Sequence, residues 1–209
     1  LEENDIHICT SLDGPEALHN KNRVSLQGKN SYKNTVKMLK KIKVEFDKGN
    51  LKHRPNALLT VTRSSLVYFK KIVDEYISLG LAGMHLRPVN PFGIPKSAWD
   101  KVSYPEEEFV DFYRKSLDYI LKLNLNGVNF YEHTAKMFLT KILSEEDPNF
   151  LDLRSPCGAG IGQLAYNFNG DIYTCDEGRM LSRIGDESFK LGSVKKNSYQ
   201  EIMDSHIVK

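Results

Sequence analysis

Cys157 and Cys175 are the residues whose type and spacing most readily do chemistry. Seventeen residues separate them, and Asn169-Gly170 lies within that interval, where a tight turn would fold the chain back on itself. A hairpin returning in this way brings two thiolates to one iron–sulfur cluster or metal ion. Two cysteines are half the usual set for a cubane cluster, and a pair of buried thiols packed under a hairpin is the other reading. Asp176 directly follows Cys175. A carboxylate there suits a general base, and equally suits a solvated acid at the end of a hairpin. Near the other end, Ser11-Leu12-Asp13-Gly14-Pro15 follows a short apolar run, and Arg23 comes 12 residues after Ser11. A serine hydroxyl and an arginine fork together form a donor set for the aminocarboxylate of a small ligand. Ordinary turn chemistry at Asp-Gly-Pro, with Arg23 in a surface ion pair, accounts for the same residues without a ligand. Arg87, at the end of another apolar run, either faces a ligand pocket or caps the rim of a sheet.

The elements that must position these residues follow from apolar periodicity. Ile6 to Thr10 reads as a buried strand leading into the Asp-Gly-Pro turn. Val36, Leu39, Ile42 and Phe46 form a helical stripe that stops near Gly49. Ala57 to Val61 is a second strand. Ser64 or Ser65 caps a helix bearing Leu66, Phe69, Ile72, Val73, Tyr76 and Ile77, with Gly80 at its end. A third strand over about Gly83 to Arg87 runs into the loop Pro88 to Gly93. Pro105 begins a long helix to about Leu123, with Glu106, Glu107 and Glu108 on its amino-terminal dipole. A fourth strand near Val128 to Phe130 precedes a helix through Leu143. Repeated strand–helix units of this kind favour a parallel sheet with helices outside it, and four are too few to close an eight-stranded barrel. After Asp147-Pro148 the pattern changes: Leu164 to Phe168 and Asp171 to Thr174 read as a hairpin around a type I′ Asn-Gly turn. A last helix starts near Ser198, which has capping-box spacing to Glu201. The expected class is α/β, with a boundary near residue 150 between a partial (β/α) barrel, 1–150, and a small hairpin-and-helix domain, 151–209.

Composition narrows the possible partners. The 209 residues carry 29 basic and 27 acidic side chains, a net charge of +2, which supplies no field for nucleic acid or an acidic membrane. No apolar run approaches the ~20 residues of a spanning helix. Lys37, Lys40, Lys41 and Lys43 read as the solvated side of a helix. His7, His53, His85, His133 and His206 show no metal-site spacing to one another. Cys9, the third cysteine, reads as a small buried apolar residue. A phosphate-binding barrel would require a glycine-rich phosphate loop after a strand, and none is found.

The pattern C-x12-G-x4-C made by Cys157, Gly170 and Cys175, closing in Cys-Asp, resembles the opening of the SPASM domain. That is the auxiliary-cluster domain of radical S-adenosylmethionine enzymes such as anaerobic sulfatase maturases. Ser11 to Pro15 with His19, Asn22 and Arg23 is similar to the S-x-D-G-P…H-D-x-x-R stretch after the fourth strand of the radical barrel, except that Asn20 stands where Asp is usual. Leu86-Arg87-Pro88 ends a strand where the related enzymes pass the adenine of S-adenosylmethionine. The wording from Cys157 through Leu181, with the loop Leu86 to Gly93, resembles one subgroup, the maturases of His-Xaa-Ser repeat peptide systems. The resemblance implies a cytoplasmic peptide or protein maturase that oxidises its substrate through a 5′-deoxyadenosyl radical, using 4Fe–4S clusters and S-adenosylmethionine. It implies S-adenosylmethionine contacts at Ser11, Arg23, Leu86 and Arg87, auxiliary-cluster ligation by Cys157 and Cys175, and a proton acceptor at Asp176. The partner it implies is a substrate peptide. The family's C-x3-C-x2-C motif is absent from these residues, as are the later cysteines of its auxiliary domain. The chain therefore reads as a piece of such an enzyme, unable to generate the radical alone and possessing at most part of a cluster site. A non-catalytic peptide- or protein-binding α/β module without a cluster is the rival reading.

Overall fold

Alternate positions of Asn56–Val61 are apolar, which gives a strand with two unlike faces: Ala57, Leu59 and Val61 are buried, while Asn56, Leu58 and Thr60 are half-buried. The same alternation runs through Gly83–Pro88, where Met84 and Leu86 are buried and His85 and Arg87 half-buried. These strands, β2 and β3, pair in parallel, with β1 (Cys9–Ser11) beside β2 and β4 (Tyr131–Glu132) beside β3, in the order β1-β2-β3-β4. The computed structural model describes residues 8–25, 28, 30–92, 96–148, 150 and 153–208.

The chain divides into two units. One comprises Leu1–Val89 and Asp100–Ser144, the other Asn90–Trp99 and Glu145–Lys209. The first unit holds the parallel sheet and helices α1 (Glu16–Asn22), α2 (Ser31–Asp47), α3 (Phe69–Ser78), α5 (Glu106–Leu125) and α6 (His133–Leu143). A further helix, α4 (Lys96–Val102), falls at the junction of the two stretches and has no counterpart in the sequence-based reading. Buried side chains of the sheet's apolar face join Leu39, Ile72, Val73, Tyr76, Phe112 and Ile120 in one core running from Leu12 to Phe130. No described helix is long and apolar enough to cross a membrane.

Four local readings are corrected. The fourth strand is Tyr131–Glu132, not 128–130: Gly127, at φ 86°, ends α5, and Val128 N donates to Leu123 O at 3.1 Å. Phe130 is buried in the core just ahead of the ladder. Neither Ser64 nor Ser65 caps α3, whose N-cap is Tyr68; Ser65 instead closes a capping box with Thr62 around a 3₁₀ turn at Arg63–Ser65. Pro105 is the residue before α5 rather than its first helical residue. The first strand begins at Cys9 and reaches Ser11; Ile6 and His7 lie outside the described residues, as does Gly93 of the expected loop.

The second unit contains an antiparallel sheet of β5 (Ala165–Tyr166), β6 (Asp171–Tyr173) and β7 (Lys190–Ser193), with α7 (Asp176–Leu181) and α8 (Tyr199–Met203). The hairpin turns over three residues. Gly170 N donates to Asn167 O and Asn167 N to Asp171 O, both at 2.9 Å, so Phe168 and Asn169 are the central pair and Gly170, at φ 94°, is the bulge. The two-residue Asn-Gly turn is thereby displaced by one position. β7 has no counterpart in the sequence-based reading; the capping box of Ser198 and Glu201 is present as expected.

Candidate functional site

The sheet of the first unit has a second, half-buried face on which Leu58 lies among polar side chains. Strand register lines up Ser11, Leu58 and His85 in one row and Thr60 with Arg87 in the next row toward the carboxyl ends. One row nearer the amino ends, Asn56 and Gly83 are followed by Tyr131. Tyr131 lies across Gly83, where a Cβ would come within 2.7 Å of its ring and 2.6 Å of its carbonyl oxygen; its hydroxyl reaches Asn56 Oδ1 at 3.3 Å. The amino end of this face is therefore floored by an aromatic ring, and the polar groups gather at the carboxyl end. Outside such carboxyl ends is where open α/β sheets take ligands.

Arg23 belongs to that end. Its Nε donates to Asp13 Oδ2 at 2.8 Å and its Nη2 to Asp13 Oδ1 at 3.2 Å, a bidentate pair with a carboxylate that is 2% exposed. Asp13 Oδ1 also accepts from Thr60 N at 3.3 Å, which ties the turn after β1 to β2. Asp13 N donates to Nδ1 of the buried His19 at 3.1 Å, and His19 Nε2 is buried without a hydrogen-bond partner among the described residues. Burial and the Arg23 guanidinium hold His19 below the usual histidine pKa against the opposing pull of Asp13. Asn20, the departure from the family pattern, accepts from Ser31 Oγ and Tyr32 N and donates to Asn30 Oδ1, each at 3.1 Å. An aspartate could not make the last of these bonds, so the amide suits its role in fastening α1 to α2.

Leu86 and Arg87 separate at this point. The Leu86 side chain is buried in the core and its N–H donates to Glu132 Oε1 at 3.2 Å. Arg87 lies on the opposite, polar face, half-buried and with no hydrogen bond or ion pair among the described residues. His85 and His133, which showed no useful spacing in the sequence, have ring centroids 4.9 Å apart. Burial first, then the neighbouring His133 and Arg87, push His85 down to about 4 against the pull of Glu132. The two are 48 positions apart, and only the pairing of β3 with β4 brings them together.

In the second unit, Gly160 N donates to Thr174 O at 2.9 Å, which brings the segment after Cys157 beside the residue before Cys175. Cys175 caps α7, its Sγ accepting from Gly178 N at 3.3 Å. Cys157 is exposed and Cys175 half-buried, both as free thiols. Asp176 is largely exposed and pairs with Arg179 at 3.0 Å. The donor chemistry suits a thiophilic cluster, and the amide held against Cys175 Sγ is the kind of contact that tunes one. The number of donors does not complete it: no group of three or more His, Cys, Asp or Glu able to hold a metal occurs among the described residues. Cys9 is not buried, as the sequence suggested, but exposed at the start of β1.

A two-unit α/β protein with a parallel sheet and a separate antiparallel sheet is what these elements define. The chain is 22% identical over 217 residues to a cysteine-type anaerobic sulfatase-maturating enzyme of Clostridium novyi (strain NT), a match covering 100% of this chain and 52% of that protein. Among solved structures, native anSMEcpe with bound AdoMet superposes with a TM-score of 0.72 at 20% identity, over 100% of this chain and 53% of that one. The hexahistidine-tagged form with bound AdoMet gives 0.74 at 19% identity, covering 100% and 50%. Native anSMEcpe with bound AdoMet and Kp18Cys peptide gives 0.69 at 20%, covering 100% and 53%. No family model matches the chain. The resemblance to anaerobic sulfatase maturases therefore holds in sequence along the whole chain and in fold, and the chain spans about half the length of these relatives.

Proposed function

We propose that this chain is part of a radical S-adenosylmethionine maturase that oxidatively modifies a peptide or protein substrate. In this reading, 1–150 form the carboxyl-terminal portion of the radical barrel and 151–209 the start of the auxiliary-cluster domain. What supports it is the register that sets Ser11 and Arg87 on one face of the sheet, with Arg23 tied to the turn after β1 through Asp13. Arg23 is paired there with the buried Asp13, and Arg87 has no carboxylate partner among the described residues. Such a face suits an aminocarboxylate ligand, with the basic Arg87 available beside it. Ser11 and Arg23 would hold the methionyl carboxylate of S-adenosylmethionine, while the strand end at Leu86 and Arg87 would border the adenine. The cofactor with its reduced 4Fe–4S cluster supplies hydrogen-atom abstraction. What this chain contributes is orientation of the ligand, a floor of Tyr131 beneath it, and thiolates at Cys157 and Cys175 for an auxiliary cluster. Asp176, released from Arg179, would take up the substrate proton. The substrate is a peptide, which the likeness to a His-Xaa-Ser system maturase makes a repeat peptide of that type, and the setting is cytoplasmic.

The test is anaerobic reconstitution of the full-length protein with iron and sulfide. Bound iron should fall in Cys157→Ala and Cys175→Ala relative to wild type. Equal iron in all three proteins would remove the assignment of Cys157 and Cys175 as cluster ligands.

A further inference from the structure

We infer that Asp13 is a positioning residue that aims Arg23 at the ligand carboxylate, by consuming one edge of the guanidinium and leaving the other edge free. This rests on the S-adenosylmethionine reading of the site. A guanidinium has two edges able to make parallel hydrogen bonds, one through Nε and Nη2 and a terminal one through Nη1 and Nη2. Asp13 occupies the first at 2.8 and 3.2 Å. The terminal edge makes no hydrogen bond among the described residues beyond that shared Nη2 contact, and the Arg23 side chain remains 36% exposed although its partner is 2% exposed. One edge of the fork is thus fixed on a buried carboxylate, and the side chain keeps exposure for the other to be used.

The anchor is itself anchored. Asp13 Oδ1 takes the Thr60 N–H at 3.3 Å, and the Asp13 N–H is donated to His19 Nδ1 at 3.1 Å. Tyr76, fully buried, donates its hydroxyl to Leu12 O next door. Gly14, at φ 107°, has Ile72 within 2.9 Å of where a Cβ would sit, so the turn is pressed against α3. A carboxylate held from β2, α1 and α3 cannot swing, and a bidentate partner transmits that rigidity to the guanidinium plane. An arginine at the end of a seven-residue helix would otherwise sample many rotamers and lose entropy on binding. Lysine could not substitute, since a single ammonium cannot present two opposed edges.

The experiment measures equilibrium binding of two probes to the anaerobically reconstituted full-length protein: S-adenosylmethionine and decarboxylated S-adenosylmethionine, which lacks only the α-carboxylate. Asp13→Asn should weaken S-adenosylmethionine about tenfold or more and leave the decarboxylated probe unchanged, because only the carboxylate reads the orientation of Arg23. Equal weakening of both probes, or no weakening of either, would overturn the inference. Should Asp13→Asn not fold, Arg23→Lys retains the charge beside Asp13 and should show the same probe-selective loss; wild-type affinity in Arg23→Lys would overturn the two-edge account. Arg23→Gln separates the levels: unchanged S-adenosylmethionine affinity in that variant would overturn the ligand reading itself, and the inference with it.

Discussion

Glu132 shows how much a single side chain can organise without advertising itself. Its residue is 2% exposed, and its carboxylate accepts from Tyr113 Oη at 2.5 Å, Ala135 N at 2.8 Å and Leu86 N at 3.2 Å. It therefore caps α6, fixes α5 and satisfies the strand end that carries Arg87. Glu132→Ala strands three donors in the interior and should cost about 2–4 kcal/mol in urea unfolding, whereas Tyr113→Phe, which removes one partner, should cost about 1 kcal/mol. Nothing in the sequence marks this residue beyond a carboxylate at a helix start, because its three partners lie 3, 19 and 46 positions away. Ser11 and Arg23 stand out in the sequence for the opposite reason: their spacing is local, set by one turn and one short helix. The partner of Arg23 was legible only in kind. A surface ion pair was the alternative to a ligand contact, and the structure pairs Arg23 with a buried carboxylate within the same motif.

Elements with a full period were readable, and short ones only where a turn or a cap marked them. The stripes of α2, α3 and α5 and the alternation of β2 and β3 each repeat often enough to fix a face. β4 has two residues, too few to express alternation and with no turn signal beside it, so the nearest apolar run stood in for Tyr131–Glu132. Pairing of β3 with that short strand creates the histidine pair, and this has a measurable consequence. Burial and the neighbouring His133 push His85 down to about 4 from the ordinary 6.5 of the unfolded chain, and burial depresses His133 and His19 in the same sense. Protons therefore bind the unfolded chain more tightly. The stability associated with neutral His85 is intact above about pH 6.5, declines as pH falls, and is gone once pH passes through 4. Urea midpoints measured from pH 7.5 to 4 should fall across that window, and His85→Gln should flatten the decline. An unaltered slope in that variant would show that the pair contributes nothing.

The two units differ most in how they are filled. The first has a continuous core, whereas the buried apolar side chains of the second, among the described residues, are Ile172, Tyr173 and Ile202. A unit so thinly filled belongs with small domains that depend on a metal or a covalent staple. Amides of β6 and β7 should exchange with deuterium much faster than those of β2 and β3 in iron-free protein, and reconstitution of the full-length protein should slow them selectively. Exchange that ignores iron would detach the sheet from any cluster. The three cysteines stand at 9, 157 and 175 with no C-x3-C-x2-C among them, so the isolated 209-residue chain should release no 5′-deoxyadenosine from S-adenosylmethionine under reductant. Mass spectrometry of the reaction checks this. The sparse interior of the second unit also bears on the lifetime of the molecule. Proteases cut what opens, and at equilibrium the rate follows the population of the open form. If Cys157 and Cys175 hold a cluster as proposed, loading it should protect the unit from cutting, and unloaded copies should be the first that proteases remove.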